Sequence, residues 1–135
     1  MTSTRDTTAG TPSRSLEARR ALAAAWQAER HAATTAGPAG DASDEWCQLE
    51  RAHILSQPLA EVHLRTHGCM LAASVRRHDG REIAGQLLRL VLAVPGSVSG
   101  RYPVGNIGGG DVSAFSPMAV PDDLRPLLLA LGGAE

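Results

Sequence analysis

Aromatic side chains make up only 3% of this 135-residue chain, although 43% of its residues are hydrophobic. A core with so few large rings has to be filled by alanine, leucine and valine. Such packing favours helices, because alanine and leucine are also strong helix formers. The length corresponds to one ordinary domain. We therefore predict a single small all-α domain.

Stretches of helix-forming residues alternate with glycine and proline breakers along the chain. The predicted helices cover residues 15–33, 44–56, 58–78 and 80–93. The short connections between them predict a small bundle of four helices in two antiparallel hairpins, for which tetratricopeptide-like packing is possible. Asp41 or Ser43 is predicted to cap the second helix, and the D-x-x-E pattern of Asp79 and Glu82 predicts a capping box before the fourth.

The two ends of the chain differ in composition from the helical part. Residues 1–14 are rich in threonine, serine, glycine and proline, which predicts a disordered tail ahead of a single helical domain over residues 15–135. Residues 95–121 hold much of the glycine and proline and predict a long C-terminal loop. A short last helix is expected after that loop.

Charge and cysteine content narrow the classes of function. The 13 basic residues are balanced by 14 acidic ones, so no nucleic-acid partner is expected. The chain contains no lysine, which excludes Schiff-base chemistry and a Walker-type phosphate loop. The longest apolar run, Leu87 to Val94, is interrupted by Arg89 and is far shorter than the ~20 residues that span a bilayer. With Cys47 and Cys69 outside any CxxC pair and no signal peptide, we predict a cytoplasmic protein without a membrane partner.

The third predicted helix has its histidines on one face. At ~100° per residue, His63 and His67 share a stripe with Met70 and Ser74, whereas the charged residues Glu61, Arg65 and Arg76 lie opposite. That arrangement predicts that the imidazoles point into the protein. Two buried imidazoles one turn apart need polar partners.

The second predicted helix supplies candidates for those partners. Glu50 and His53 form an E-x-x-H, which projects a carboxylate and an imidazole from one face as in metal sites of helix bundles. We predict that Glu50, His53, His63 and His67 bind a single transition-metal ion, zinc or iron, with nickel, manganese or copper acceptable. Participation of Met70 would shift the preference to copper.

Further polar residues could surround the ligands. Glu82 and Gln86 on the fourth helix, with Glu29 on the first, could supply a second carboxylate shell, as a site for two metal ions would need. Because the chain has one E-x-x-H, the hypothesis of a two-metal site is weaker than that of a single ion.

Other interpretations stay open from the sequence alone. Glu50 could pair with a protonated histidine in a buried network without metal, and the chain would then be a helical interaction module for a protein partner or a homo-oligomer. A thiol enzyme using Cys47 or Cys69 is a third hypothesis, although both thiols are expected to be buried. Whether the protein is an enzyme is not decided by these patterns.

Residues 46–125 also resemble a known family. The similarity lies in the segments LERAHILSQ, the H-x-x-x-H of 63–67, GQLLRLVLA and GRYPVGNIGG, with VSAFSPM and PDDL downstream. These segments are similar to a short bacterial family catalogued as a domain of unknown function, DUF3703. The resemblance implies a compact helical domain with a fixed C-terminal loop, and it implies no catalytic residue.

Overall fold

The computed structural model describes residues 11–99 and 103–132, and all regular secondary structure in these ranges is helical. The prediction of an all-α fold is thus confirmed. The helices are α1 (Thr11–Ala36), α2 (Ala42–Ser56), α3 (Ala60–Arg76), α4 (Gly80–Ser99) and α5 (Arg125–Leu129). Residues 1–10 of the predicted tail lie outside the described residues, and α1 begins at Thr11 instead of Ser15.

The four long helices form the two expected hairpins. α1 packs along α2, α3 packs along α4, and α2 also contacts α3. The short α5 returns to α1. Because α2 and α3 are joined by a connection of only three residues, 57–59, the end of α2 lies beside the start of α3. This junction positions the candidate site.

Side-chain caps fix the starts of α2 and α4. Asp41 Oδ1 accepts a hydrogen bond from the backbone N–H of Asp44 at 2.9 Å. Of the two caps predicted for α2, Asp41 or Ser43, the structure therefore has Asp41. Asp79 Oδ1 accepts from the backbone N–H of Glu82 at 3.0 Å, which is one half of the predicted capping box. The other half is not formed, since the Glu82 carboxylate instead accepts from Gly110 and Gln86.

α4 continues through Pro95 and Gly96 to Ser99, beyond the predicted end near residue 93. A proline inside a helix removes one backbone hydrogen bond and disfavours the conformation, but it does not forbid the helix from continuing. Residues 95–99 of the predicted loop over 95–121 are therefore helical, whereas residues 103–121 are irregular as predicted.

The core consists of two apolar clusters. The larger joins α1, α2 and the C-terminal segment, and its buried members are Leu22, Trp26, Ala52, Ile54, Leu55, Leu124 and Leu128. The smaller contains Ala33, Leu49, Met70 and Ala73. Trp26 Nε1 donates to Thr66 Oγ1 at 2.8 Å, which connects α1 to α3 through a buried polar contact. Within the described residues, we find no helix with the length and apolar character needed to cross a membrane.

Candidate metal centre

Three histidines meet where α2 ends and α3 begins. His53 lies in the last turn of α2, and His63 and His67 lie one turn apart in the first half of α3. The ring centroids of each pair are 4.7 Å apart, which places the three rings at the corners of an equilateral triangle. One nitrogen from each ring belongs to a group of atoms that all lie within 4.8 Å of one another. This group could hold a metal ion.

The three rings are withdrawn from solvent to different degrees. His53 and His67 are each only 2% exposed, whereas His63 is half-buried. Burial disfavours a charged imidazole. It lowers the pKa of His53 well below its usual value, that of His63 to about 3 and that of His67 to about 4, with the nearby Arg89 guanidinium adding to each effect. All three rings are therefore neutral at pH 7.

A different acceptor holds the Nδ1 atom of each ring. His53 Nδ1 donates to the carbonyl oxygen of Asn106 at 2.7 Å, and His67 Nδ1 donates to Gln86 Oε1 at 2.8 Å. The Gln86 amide is oriented by its own Nε2, which donates to Glu82 Oε1 and to the carbonyl of Gly108. Because a carbonyl or amide oxygen only accepts, the Nδ1 of both rings must carry the proton.

His63 has the same tautomer, because the Ser56 hydroxyl beside it has already donated its only proton. The Ser56 hydroxyl donates its proton to the carbonyl oxygen of His53 at 2.7 Å, so its oxygen can accept from His63 Nδ1 at 3.1 Å. In a neutral ring the proton sits on one nitrogen only. The Nε2 atoms of all three histidines are consequently left as unprotonated lone pairs.

Two of these lone pairs face each other closely. His53 Nε2 and His67 Nε2 are 3.2 Å apart, and neither atom has a proton to donate. Two acceptors at this distance repel unless a cation lies between them. The separation is close to the roughly 3.3 Å expected between two nitrogens bound tetrahedrally to zinc at about 2.0–2.1 Å. The contact thus has the geometry of two ligands of one ion.

The C-terminal loop closes over this centre and holds the outer acceptors. Asn106 is fully buried, and its side-chain amide donates to the carbonyls of Ser113 and Ser116. Gly110 N donates to the Glu82 carboxylate at 2.8 Å, which anchors the loop to α4. Hydrogen bonds from outside the ligand set orient imidazoles and fix their tautomers in known metal sites.

The structure brings together three of the four residues predicted as ligands. Glu50 is not part of the group of ligand atoms. It is half-buried, and desolvation raises its pKa, an effect that the nearby Trp46 side chain partly opposes. No described histidine forms an ion pair with it. Met70 is fully buried in the smaller apolar cluster.

Other predicted residues have mixed outcomes. Gln86 and Glu82 do lie behind the histidines, whereas Glu29 forms an ion pair with Arg51. The expectation of buried thiols is wrong for Cys47, which is exposed because it lies on the outer side of α2. Cys69 is half-buried and, like Cys47, is absent from the group of ligand atoms.

Two residues of the site were missed by sequence reasoning. Ser56 follows His53 by three positions, a spacing that places its hydroxyl beside the same turn, but serine near a helix end is common. Arg89 is 6% exposed and donates to the carbonyls of Gly109 and Val112. The feature of the sequence that could have revealed Arg89 is its charge, which interrupts the apolar run of α4.

Comparison with known proteins places the chain in a family. The family described as "Protein of unknown function (DUF3703)" matches residues 20–128, and the chain belongs to it. This confirms the resemblance seen in the sequence, and all three histidines lie within the matched range. Searches of curated proteins and of solved structures found no match.

Proposed function

We propose that this protein binds one divalent transition-metal ion through the Nε2 atoms of His53, His63 and His67. The observation that carries this proposal is the 3.2 Å contact between two unprotonated nitrogens, His53 Nε2 and His67 Nε2. Proteins avoid burying unpaired polar atoms, and a cation at the centre of the triangle would satisfy all three lone pairs at once. The neutral state of the rings at pH 7 also removes proton competition for that cation.

Zinc is the ion that fits this set of donors best. Zinc accepts three histidines and keeps a fourth position for water or another ligand. Non-haem iron more often takes two histidines and a carboxylate, and Glu50 lies outside the group. Copper would gain from a thioether, but Met70 packs among Ala33, Leu49 and Ala73. We therefore favour zinc over iron and copper.

Metal analysis of the full chain purified without a histidine tag tests the proposal. We expect one zinc per chain after reconstitution and removal of excess metal, and a melting temperature that rises with zinc and falls with chelator. The double variant His63→Ala/His67→Ala should lose both effects. His31→Ala is the matched control, since His31 is exposed on α1.

The variant Glu50→Gln distinguishes the three-histidine site from the four-ligand site that the sequence predicted. Because Glu50 lies outside the histidine group, the variant should keep full zinc stoichiometry. Loss of zinc in Glu50→Gln would restore the four-ligand hypothesis. Wild-type protein that stays metal-free after reconstitution with zinc, iron or copper would contradict metal binding altogether.

A second candidate function is an interaction module. It is favoured by three exposed apolar side chains on one side of α4, Leu87, Leu88 and Val91, the last of which is 72% exposed. Self-association is the form of this function that can be tested with the chain alone. A concentration-dependent mass in solution that Val91→Asp abolishes would support it, and a monomer at all concentrations would count against it. A cytoplasmic location is proposed on the same grounds as in the sequence analysis.

A further inference from the structure

The proposed metal centre has room for a ligand that the chain does not provide. Three imidazoles supply three donors, and among the described residues no fourth histidine, cysteine or carboxylate belongs to the group. Zinc in a site with three protein ligands binds an exogenous fourth ligand. His63 is the half-buried member of the triangle, so the open side of the centre is the side of this ring.

Arg89 brings a positive charge close to the three histidines. It lies one turn after Gln86 on α4, and Gln86 touches His67 directly. Its Nη2 donates to the carbonyls of Gly109 and Val112 in the loop, next to Gly108, which lies against the ring of His53. After burial, the charge of Arg89 is one of the causes that lower the pKa of all three imidazoles.

This charge has no carboxylate within ion-pair distance in the described part of the chain. Arg89 is 6% exposed, yet it forms no ion pair with a described carboxylate. Burial lowers the pKa of Arg89, and the charges of Glu82 and Asp111 only partly oppose that effect. The Glu82 carboxylate is itself engaged by Gln86 Nε2 and by the backbone of Gly110. A buried guanidinium without a paired anion is costly, and its forked donors match the two oxygens of a carboxylate or phosphate.

We propose that the fourth position of this centre takes a small oxyanion, a carboxylate or a phosphate group, whose charge is shared between the bound metal and Arg89. This inference rests on the proposed metal-binding function. An ion bound by three neutral imidazoles keeps its full positive charge, and Arg89 adds another. An oxyanion with two or more oxygens can coordinate the metal with one and accept from Arg89 with a second.

Cobalt(II) loaded into the full chain provides the test, because its visible absorption reports on the ligands of the ion. Acetate, inorganic phosphate and neutral acetamide are titrated separately at constant ionic strength. We expect a saturable spectral change with acetate or phosphate and none with acetamide, and the tighter of the two anions identifies the head group. Arg89→Gln should weaken anion binding by roughly tenfold or more, as for the loss of a charge-assisted hydrogen bond.

Arg81→Gln is the control, because Arg81 is exposed on the same helix. Unchanged anion affinity in a folded Arg89→Gln variant would overturn the inference. If that variant does not fold, the wild type alone decides, since equal responses to acetate and acetamide, or no response to either anion, would also overturn it. Failure of the wild type to take up cobalt would instead contradict the proposed function, so the two failures are distinguishable.

Discussion

Gly108 lies directly against the imidazole of His53, so closely that a β-carbon at this position would be 2.6 Å from His53 Cδ2. Its φ of +80° is in the region that favours glycine. The loop can therefore reach the ring only with glycine at this point. The same approach allows the neighbouring Asn106 carbonyl to accept the His53 Nδ1 proton.

Gly108→Ala should therefore destabilise the protein and weaken the metal centre. Left-handed backbone strain costs about 1 kcal/mol, and forcing a methyl group into a packed site adds about 1–3 kcal/mol. Gly40→Ala is the matched control, because Gly40 has a φ of +84° but nothing within 4 Å of its β-carbon position. Urea unfolding of both variants measures the difference, and an equal loss of stability in both would show that contact with His53 is unimportant.

The metal-free protein should lose stability in mild acid. The unfolded chain takes up protons on its histidines near pH 6.5, whereas the folded protein does not until about pH 4 for His67 and about pH 3 for His63. The unfolded state therefore binds more protons between these values, and the free energy of unfolding falls as the pH falls. Below about pH 6, where the unfolded histidines are mostly protonated, the expected slope is about 1.4 kcal/mol per pH unit for each of the three rings.

Summed over the three histidines, this slope is roughly 4 kcal/mol per pH unit, so a domain of ordinary stability should unfold near pH 5. Urea unfolding in chelator at several pH values between 7 and 5 measures it. The variant His63→Leu, which has one titrating ring fewer, should show about two thirds of the slope. A slope that is the same in wild type and variant would contradict the neutral, buried state of His63.

The histidines were predictable because their placement depends on local periodicity. His63 and His67 are one turn apart on α3, and the short connection at 57–59 places the end of α2 beside them. Glu50 precedes His53 by three residues, which moves it about 4.5 Å along the helix axis, away from the junction where the rings meet. The E-x-x-H pattern predicts that the two side chains share one face of the helix. It does not predict that both reach the same ion, because they lie at different heights along the helix axis.

The residues that accept hydrogen bonds from the histidine rings were less predictable, because some of them come from distant parts of the chain. Asn106 is 53 positions from His53, and it lies in an irregular loop that has no periodicity to read. The contact of Gly108 with the ring depends on how the loop packs in the folded protein, and the glycine content of a loop does not predict that packing. Sequence patterns therefore predicted the histidine stripe and the place of Gln86 behind it, but not the acceptors Asn106 and Ser56.

Gln86 is expected to control metal affinity through His67 without touching the ion. Its Oε1 accepts the His67 Nδ1 proton, and its Nε2 donates to Glu82 and Gly108. Gln86→Leu removes these contacts, and comparable outer-layer changes cost roughly 10–100-fold in metal affinity. Competition with a zinc indicator measures the effect. Gln48→Leu is the control, since the Gln48 amide bonds to Asp44 on the exposed side of α2.

If Gln86→Leu and Gln48→Leu bind zinc equally tightly, the tautomer of His67 does not depend on Gln86. A folded Gln86→Leu variant that binds zinc more weakly at the same stoichiometry would support the role assigned here. The near-ultraviolet circular dichroism of both variants shows whether the packing around α4 is retained.

Thr66 offers a way to change stability while leaving the metal centre intact. Its hydroxyl accepts from Trp26 Nε1 at 2.8 Å and donates to the carbonyl oxygen of Val62 at 2.8 Å, so neither of these hydrogen bonds involves a histidine ring. Thr66→Val keeps the shape of the side chain but leaves the buried indole N–H without its acceptor, which should cost about 1–3 kcal/mol. Zinc affinity should not change, because none of the Nδ1 acceptors is affected. Urea unfolding and a zinc titration on the same preparation measure both quantities, and a parallel loss of stability and zinc affinity would mean that the α1 contact also positions His67.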